Sequence, residues 1–270
     1  MKIVSRIVLK CTKNASEETI NKINNFYKKN EKFIVNKDIG KLIIPIDDEA
    51  YAEVIKLKEC SPKEIYYTEL FERKYSKEDY IDAVAFIIHF TNMSYGYADK
   101  GANDYFNKCC SKGNLLTEQS KDYEMPKSEI KNKNFAQSDI YRFIISTTIR
   151  KNLLSIGVDE KNFRPVWQNK DYNNPIAYQI SPMNILPPLS EVNGWRTYIG
   201  CKYCKKILYH MEDNKPYYIS HQVYKELKDF NISLETVGNI CTPLYIVNYH
   251  IYNYLKSQYK SMYFEPMFLK

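Results

Sequence analysis

Apolar and polar residues alternate along the first part of the chain with two different periods. IVSRIVLKC (3–11) alternates at every second residue, as a strand with one buried face does. ASEETINKINNFYKKN (15–30) instead places its apolar residues on one face of a helix, with Ser16 as N-cap, acids in the first turn and lysines in the last. KFIVNKD (32–38) and KLIIPID (41–47) predict a pair of strands.

The next three segments give predictions of different kinds. AYAEVIKLKEC (50–60) and EIYYTELFERKY (64–75) have short apolar runs, and we predict both to be extended, with a helix as the alternative for each. SKEDYIDAVAFIIHF (76–90) gives the clearest helical prediction of the N-terminal half, because Ser76 can cap it and two acids occupy its first turn. The apolar run that follows indicates a buried helix.

Residues 92–140 are rich in Gly, Asn, Ser and Lys and show no sustained period. An irregular segment of this length in a compact domain needs a function, a metal site or a domain boundary to explain it. We therefore predict three parts, namely an N-terminal α/β region (1–91), an irregular loop-rich connector (92–140) and a C-terminal α+β domain (141–270).

The C-terminal part contains a strand–helix–strand pattern three times, in segments that begin at Phe143, Tyr217 and Leu244. In each segment an apolar strand ends at a residue that can cap a helix, and two apolar residues with i, i+4 spacing follow on one helical face. The caps and their apolar pairs are Ser146 with Ile149 and Leu153, Ser220 with Val223 and Leu227, and Asn248 with Ile251 and Leu255.

The first and third segments close with Phe-x-Pro, at 163–165 and 264–266. We expect each proline at a strand edge or exit, because it cannot donate a ladder hydrogen bond. A single unit of this kind cannot bury its own apolar face. The pattern therefore predicts an α+β fold of mixed sheets and short helices, whose C-terminal part is built from repeated strand–helix–strand units.

Composition narrows the class of protein only slightly. The chain has 270 residues, is 44% hydrophobic and carries a formal net charge of +7, which indicates a folded protein with some preference for acidic partners. Abundant Lys, Asn, Ile and Tyr also follow from an AT-rich coding sequence. Residues 1–41 are basic and residues 47–82 are acidic, so either a basic or an acidic binding surface is possible.

The sequence predicts a cytoplasmic protein. The N-terminus MKIVSRIVLKC does not fit a signal peptide, and no segment has the apolar length that spanning a membrane requires. Seven cysteines, an odd number, in a chain without an export signal are expected to stay reduced or to bind metal.

The sharpest chemical signal is CKYCKK, which holds Cys201 and Cys204 in a C-x-x-C spacing. This spacing supplies two ligands of a structural zinc site, and two further ligands must come from elsewhere in the chain. Cys109 and Cys110 of KCCSKG are the candidates, with His210 and His221 as alternatives. The predicted site is therefore Cys109, Cys110, Cys201 and Cys204 around one structural zinc, and the alternative is a set of reduced cysteines without metal.

The order of these motifs resembles that of the bacterial double-CXXCG motif proteins. The resemblance covers about residues 76–270 and rests on KCCSKG, FIISTTIRKNLLSIG…FRPVW, CKYCKK and the C-terminal YFEPMF. Neighbouring families of predicted immunity proteins from polymorphic toxin systems share the Ser-capped helix and the closing Phe-x-Pro.

The resemblance carries over Cys109, Cys201 and Cys204 as ligands, and Cys110 is our addition from this sequence. Two positions depart from the family pattern. Lys112 stands where the first motif would have its second thiol, and Lys205 stands where the second motif would have its glycine. The first motif is therefore degenerate.

The resemblance implies a non-enzymatic protein that neutralises a cognate protein toxin by binding it. The sequence is consistent with a non-enzymatic protein, because no H-E-x-x-H, G-x-S-x-G, Walker A or G-x-G-x-x-G pattern occurs in it. Two alternatives stay open. One is a zinc-containing nucleic-acid-binding protein, favoured by the net charge and by the lysines beside the C-x-x-C. The other is an enzyme whose residues form no recognised motif.

Overall fold

The computed structural model describes residues 1–89, 94–95, 104–138, 142–168, 171–212, 214–237, 242–259 and 262–270. The chain divides into a first unit, Met1–Ile81 with Asp213–Pro216, and a second unit, Asp82–Glu212 with Tyr217–Lys270. Helices and mixed sheets both occur, so the predicted α+β class is confirmed.

The first unit is an antiparallel four-stranded sheet that packs against two helices. Its elements are β1 (Lys2–Cys11), α1 (Glu17–Lys29), β2 (Ile34–Asn36), β3 (Lys41–Pro45), α2 (Glu49–Cys60) and β4 (Ile65–Lys74). The strand order β2-β3-β1-β4 with two crossover helices is the βαββαβ arrangement called ferredoxin-like. Ile7, Leu9 and Ile44 of the sheet pack with Phe26 of α1 and Val54 of α2 in one buried core.

Most of the local predictions for the first unit are confirmed. Ser16 caps α1, where its side chain accepts a hydrogen bond of 3.3 Å from the Thr19 amide. The prediction of an extended segment at 50–60 is wrong, because Asp48 caps α2 through a 2.9 Å bond from the Ala50 amide. Burial of Ala50 and Val54 on one helical face then holds α2 on the sheet.

The predicted buried helix at 76–90 is also wrong beyond its first turns. Ser76 does cap a helix, α3 (Lys77–Asp82), but the apolar run that follows forms strand β5 (Ala85–His89). Ala85, Phe86, Ile87 and Ile88 are all buried, because β5 has a neighbour on each side and is covered on both faces. Such a strand gives a continuous apolar run, which periodicity cannot distinguish from a buried helix.

The second unit contains one order of elements twice, apart from a short additional helix α6 in the second copy. The first copy (85–167) consists of β5, β6 (Ser94–Tyr95), β7 (Phe106–Lys108), β8 (Leu116–Gln119), β9 (Tyr123–Glu124), α4 (Lys127–Ile130), β10 (Phe135–Gln137), β11 (Phe143–Ile145), α5 (Thr147–Ser155) and β12 (Phe163–Trp167). The second copy (177–269) consists of β13 (Ala177–Ile180), β14 (Asn184–Leu186), α6 (Ser190–Asn193), β15 (Arg196–Ile199), β16 (Ile207–His210), β17 (Tyr217–Ile219), α7 (His221–Lys225), β18 (Phe230–Val237), β19 (Thr242–Asn248), α8 (Tyr249–Gln258) and β20 (Tyr263–Leu269).

The two copies exchange one strand. One sheet has the order β6-β10-β11-β13-β12-β9, and the other has the equivalent order β14-β18-β19-β5-β20-β17, with the hairpin β15-β16 added beside β18. Equivalent pairs run in the same direction in both sheets. Strand β5 of the first copy therefore completes the sheet of the second, and β13 of the second copy completes the sheet of the first.

The Phe-x-Pro motifs occupy equivalent places in the two sheets. Pro165 of β12 lies opposite Tyr178, and Pro266 of β20 lies opposite Phe86. The expectation that these prolines mark a strand edge is wrong, because both strands continue past them. The neighbouring outer strands, β9 beside β12 and β17 beside β20, pair only from the residue that follows each proline. The proline itself has no N–H to donate to that neighbour.

The three predicted strand–helix–strand units are confirmed. Their caps Ser146, Ser220 and Asn248 accept hydrogen bonds of 3.3, 3.3 and 3.0 Å from the amides three residues later. A fourth unit, β9-α4-β10, lies in the segment 92–140 that we predicted to be an irregular connector. Its elements have only two to four residues, and Pro126 at the cap position of α4 makes no side-chain cap bond. No local sequence pattern therefore predicts these elements.

Because each sheet borrows a strand, we expect the two copies to unfold together. Phe86 of β5 is fully buried and its ring stacks on Tyr252 at 3.7 Å between centroids, so Phe86→Ala should lower the free energy of unfolding by about 3–5 kcal/mol. The chain has two tryptophans, Trp167 in the first copy and Trp195 in the second. Urea unfolding is followed by the fluorescence of the one remaining tryptophan. Trp195 reports the second copy in the Trp167→Phe background, and Trp167 reports the first copy in the Trp195→Phe background.

The expected result is that Phe86→Ala shifts both fluorescence transitions by the same amount. A shift seen by Trp195 alone would contradict the interlocked arrangement. Ser155→Ala, at an exposed serine of α5, is the control and should leave both transitions nearly unchanged.

Candidate metal centre

The first pair of cysteines lies at the tip of the hairpin formed by β7 and β8. The Cys109 amide donates to the Leu115 carbonyl at 2.8 Å and the Gly113 amide donates to the Cys110 carbonyl at 3.1 Å, which closes the connecting turn. Both thiols are half-buried. The hairpin therefore presents two adjacent sulfur atoms on one rigid turn.

The second pair lies at the tip of the equivalent hairpin, β15-β16. Its strands are in register up to the pair Ile199–Ile207, and the Gly200 amide then donates to the Lys206 carbonyl at 2.9 Å. The Lys205 amide donates to the Cys201 carbonyl at 2.9 Å, so residues 201–205 form a single tight turn. Cys201 is buried and Cys204 is exposed.

The two hairpin tips bring all four predicted ligands together. The sulfur atoms of Cys109, Cys110, Cys201 and Cys204 lie within 4.8 Å of one another, and Cys110 Sγ is 3.9 Å from Cys201 Sγ. In a tetrahedral site with metal–sulfur bonds of about 2.3 Å, neighbouring sulfurs are about 3.8 Å apart. The cluster can therefore hold a metal ion, with two ligands from each copy.

The pKa values of Cys201 and Cys109 are shifted in opposite directions. Backbone amides of Cys204 and Tyr203 donate hydrogen bonds to Cys201, and these lower the pKa of its thiol to about 6. Burial raises the pKa of Cys109 to about 12, and hydrogen bonding to the neighbouring thiols acts in the same direction. The cluster thus favours a thiolate at Cys201, and a metal cation would stabilise the further thiolates that the site needs.

Two glycines let the hairpins approach each other. A Cβ atom at Gly113 would lie 2.5 Å from Cys109 Sγ, 2.9 Å from Cys110 Sγ and 3.0 Å from Cys201 Sγ. A Cβ atom at Gly200 would lie 2.4 Å from Leu208 of its own hairpin and 3.1 Å from Leu115 of the other. Larger residues at either position would push the sulfur atoms or the hairpins apart.

Sequence reasoning identified the four cysteines and left the two histidines as alternatives. Among the residues that the structure describes, neither His210 nor His221 belongs to the sulfur cluster. His210 lies at the opposite end of β16 from the turn, and His221 begins α7. The equivalence of the two hairpins was missed, although Cys110 and Cys204 each lie thirteen residues before the first strand that follows their hairpin (110 to 123 and 204 to 217).

Comparison of the sequence with protein-family models and with curated proteins finds no match, and neither does comparison of the fold with solved structures. The resemblance to the double-CXXCG motif proteins therefore stays a prediction. Function has to be argued from the geometry of the sites themselves.

The backbone at Lys205 explains why a glycine would suit this position. Lys205 has φ = +58°, in the left-handed region that residues with a Cβ adopt at a cost. We expect Lys205→Gly to raise the free energy of unfolding by about 1 kcal/mol, measured by urea unfolding with tryptophan fluorescence. Lys202→Gly, in the same turn, also removes one lysine charge, but the φ angle of Lys202 is not positive. Glycine relieves no backbone strain there, so this change should destabilise the protein slightly. Equal effects of the two changes would contradict the argument from backbone strain.

Proposed function

We propose that this protein is a non-enzymatic, protein-binding inhibitor that contains one structural zinc and neutralises a cognate protein toxin by direct contact. The observation that carries the proposal is an exposed apolar hairpin, β15-β16, whose tip belongs to the cysteine cluster. The toxin as partner is what the resemblance to the double-CXXCG and immunity families implies.

Zinc is the metal that best suits the cluster. Four thiolates in tetrahedral arrangement are typical of structural zinc, and Cys109, Cys110, Cys201 and Cys204 would fill its coordination sphere. Such a closed site leaves no position for a substrate, so its contribution is structural. It would link the two hairpin tips and hold β15-β16 in a fixed orientation.

The hairpin has the features of a protein-binding surface. Strand β15 is the last strand of its sheet, and all four of its residues are exposed. Ile199 and Ile207 lie directly opposite each other and are 60% and 51% exposed, with Tyr203 exposed at the tip. An exposed edge strand with apolar side chains is a site where another chain can pair or dock.

The charge around these apolar residues indicates the chemistry of the partner. Arg196, Lys202, Lys205 and Lys206 are all exposed on the hairpin or its turn. Apolar contact at Ile199 and Ile207 surrounded by basic residues fits a partner with an acidic surface around an apolar centre.

Cytoplasmic location is part of the proposal, because the four thiols must stay reduced to bind metal. None of the helices in the described ranges is long and apolar enough to cross a membrane.

A tagged pull-down from the native host at moderate salt tests the function. We expect one stoichiometric protein partner, whose expression alone is toxic and is tolerated when this chain is co-expressed. The double change Ile199→Asp with Ile207→Asp should abolish both capture and protection, because it places charges at the centre of the apolar contact. Ile81→Asp is the matched control, since Ile81 is 70% exposed in the first unit.

A captured protein that is harmless when expressed alone would contradict the inhibitor function. Capture that is unaffected by the hairpin changes would instead exclude β15-β16 as the binding surface. Both outcomes require that the variant purifies with an unchanged unfolding midpoint.

A second candidate function, nucleic-acid binding, is supported by one face of the first unit. The sheet alternation places five basic residues on the face opposite the helices, Lys2, Arg6, Lys10, Lys41 and Lys74, although Arg6 pairs with Glu72 at 2.6 Å. Nucleic acid in the pull-down, or retention on heparin that weakens with salt, would favour this candidate over the inhibitor.

A further inference from the structure

A cavity of about 330 Å³ lies in the second unit, between strands of the two copies. Strand β8 and the start of β11 line it from the first copy, and residues of β13, β14, β18 and β19 line it from the second. This volume is in the range of sites that hold small molecules. The cavity is distinct from the sulfur cluster, although Lys206, which directly follows the turn 201–205, also lines the cavity.

Arg142 is the decisive residue of the cavity. The residue is 9% exposed, and within the part of the chain that the structure describes its side chain makes one hydrogen bond, from Nη1 to the Tyr245 hydroxyl at 3.4 Å. The guanidinium also lies 5.3 Å from the centre of the Phe106 ring. No carboxylate of the described residues forms an ion pair with it. A guanidinium carries five N–H donors and is always charged, so most of its donors have no partner among the described residues.

The other polar residues of the cavity do not supply a counter-ion. Gln179 is 2% exposed and donates from Nε2 to Gln119 Oε1 at 2.8 Å, whereas its own Oε1 has no partner. Gln179 lines the same cavity as a neutral amide, so it does not neutralise the charge of Arg142. The charged residues at the edge, Lys206 and Glu118, are both exposed. A buried guanidinium that has no carboxylate partner, as Arg142 has none among the described residues, is costly unless an anion joins it.

Apolar residues form another part of the cavity wall, beside serine and threonine residues. Five apolar residues contribute to it, namely Pro182, Ile185, Ile232, Leu234 and Pro243. Ile185 and Leu234 are each 56% exposed, so the apolar wall extends to the surface. A hydrocarbon group of a ligand would be removed from water there.

We propose that this cavity binds a small organic carboxylate with an aliphatic body. The carboxylate takes charge-assisted hydrogen bonds from Arg142 and lies beside the Tyr245 hydroxyl, and the aliphatic body contacts Ile185, Leu234 and their neighbours. The proposal is independent of the protein partner, because it rests on the cavity alone.

Three probes of related shape test this assignment by ligand-observed NMR and by thermal shift of the full-length protein. Isovalerate should bind with a dissociation constant on the order of 1 mM, as expected for a seven-atom ligand. Isovaleramide has the same shape without the charge and should not bind at the same concentration. Inorganic phosphate has the charge without the aliphatic body and should bind at least about tenfold more weakly than isovalerate.

Two variants link the binding to the guanidinium. Arg142→Met should weaken isovalerate binding at least about tenfold. Gln179→Glu provides an internal carboxylate in the same cavity and should abolish isovalerate binding while the thermal midpoint stays equal or rises. Lys151→Met is the control, because it removes one positive charge at an exposed residue of α5 that does not line the cavity, and it should bind isovalerate as the unchanged protein does.

Each other outcome would overturn the proposal. Equal binding of isovalerate and isovaleramide would show that charge is not recognised, and tighter binding of phosphate would show that the apolar wall is not used. Absence of isovalerate binding to the unchanged protein would contradict the proposal directly. If Arg142→Met fails to fold, unaltered isovalerate binding to Gln179→Glu would still refute it.

Discussion

The exchange of β5 and β13 between the two copies is the constraint on which the second unit depends. Each sheet places a borrowed strand between the two strands of a strand–helix–strand unit, so neither copy can complete its hydrogen-bond ladder alone. The borrowed strands are buried, and β5 is almost entirely apolar. Apolar burial and backbone pairing are therefore shared between the described parts of both copies, so we expect this unit to unfold as one cooperative structure and not as two linked modules.

The cysteine cluster follows from the same duplication. A hairpin follows the first two strands of each copy and carries two cysteines at its tip, and the two tips meet with four sulfurs within 4.8 Å. The site thus connects the copies at a second place, away from the exchanged strands. The cavity around Arg142 is a third place where the copies meet, and there a buried charge has no carboxylate partner among the described residues.

Local chemistry was predictable from the sequence, and long-range pairing was not. The caps at Ser16, Ser146, Ser220 and Asn248 and the four clustered cysteines were identified from short patterns with a local physical cause. Strand β5 was predicted to be helical because its burial comes from β19 and β20, more than 150 residues later in the chain. The unit β9-α4-β10 was missed because elements of two to four residues have no period.

Arg142 in the cavity is a single residue whose role also depends on long-range contacts that the sequence does not predict. Nothing around Arg142 in the sequence distinguishes it from a surface arginine, and its importance comes from burial between strands of both copies.

The degenerate first cysteine motif shows the opposite, because its local sequence departs from the expected pattern and its cysteines still join the cluster. Cys110, adjacent to Cys109, reaches the cluster although the second thiol of a C-x-x-C is absent, because the turn closed at Gly113 brings both sulfurs to one side.

The most direct test of this account is the metal content of the reduced protein, measured by native mass spectrometry and followed by chelation. The account predicts one zinc per chain, whose removal lowers the unfolding midpoint reported by Trp167 and by Trp195 alike, because both copies contribute ligands. A chain that binds no metal when purified with zinc, or one whose stability is unchanged when the metal is removed, would contradict it.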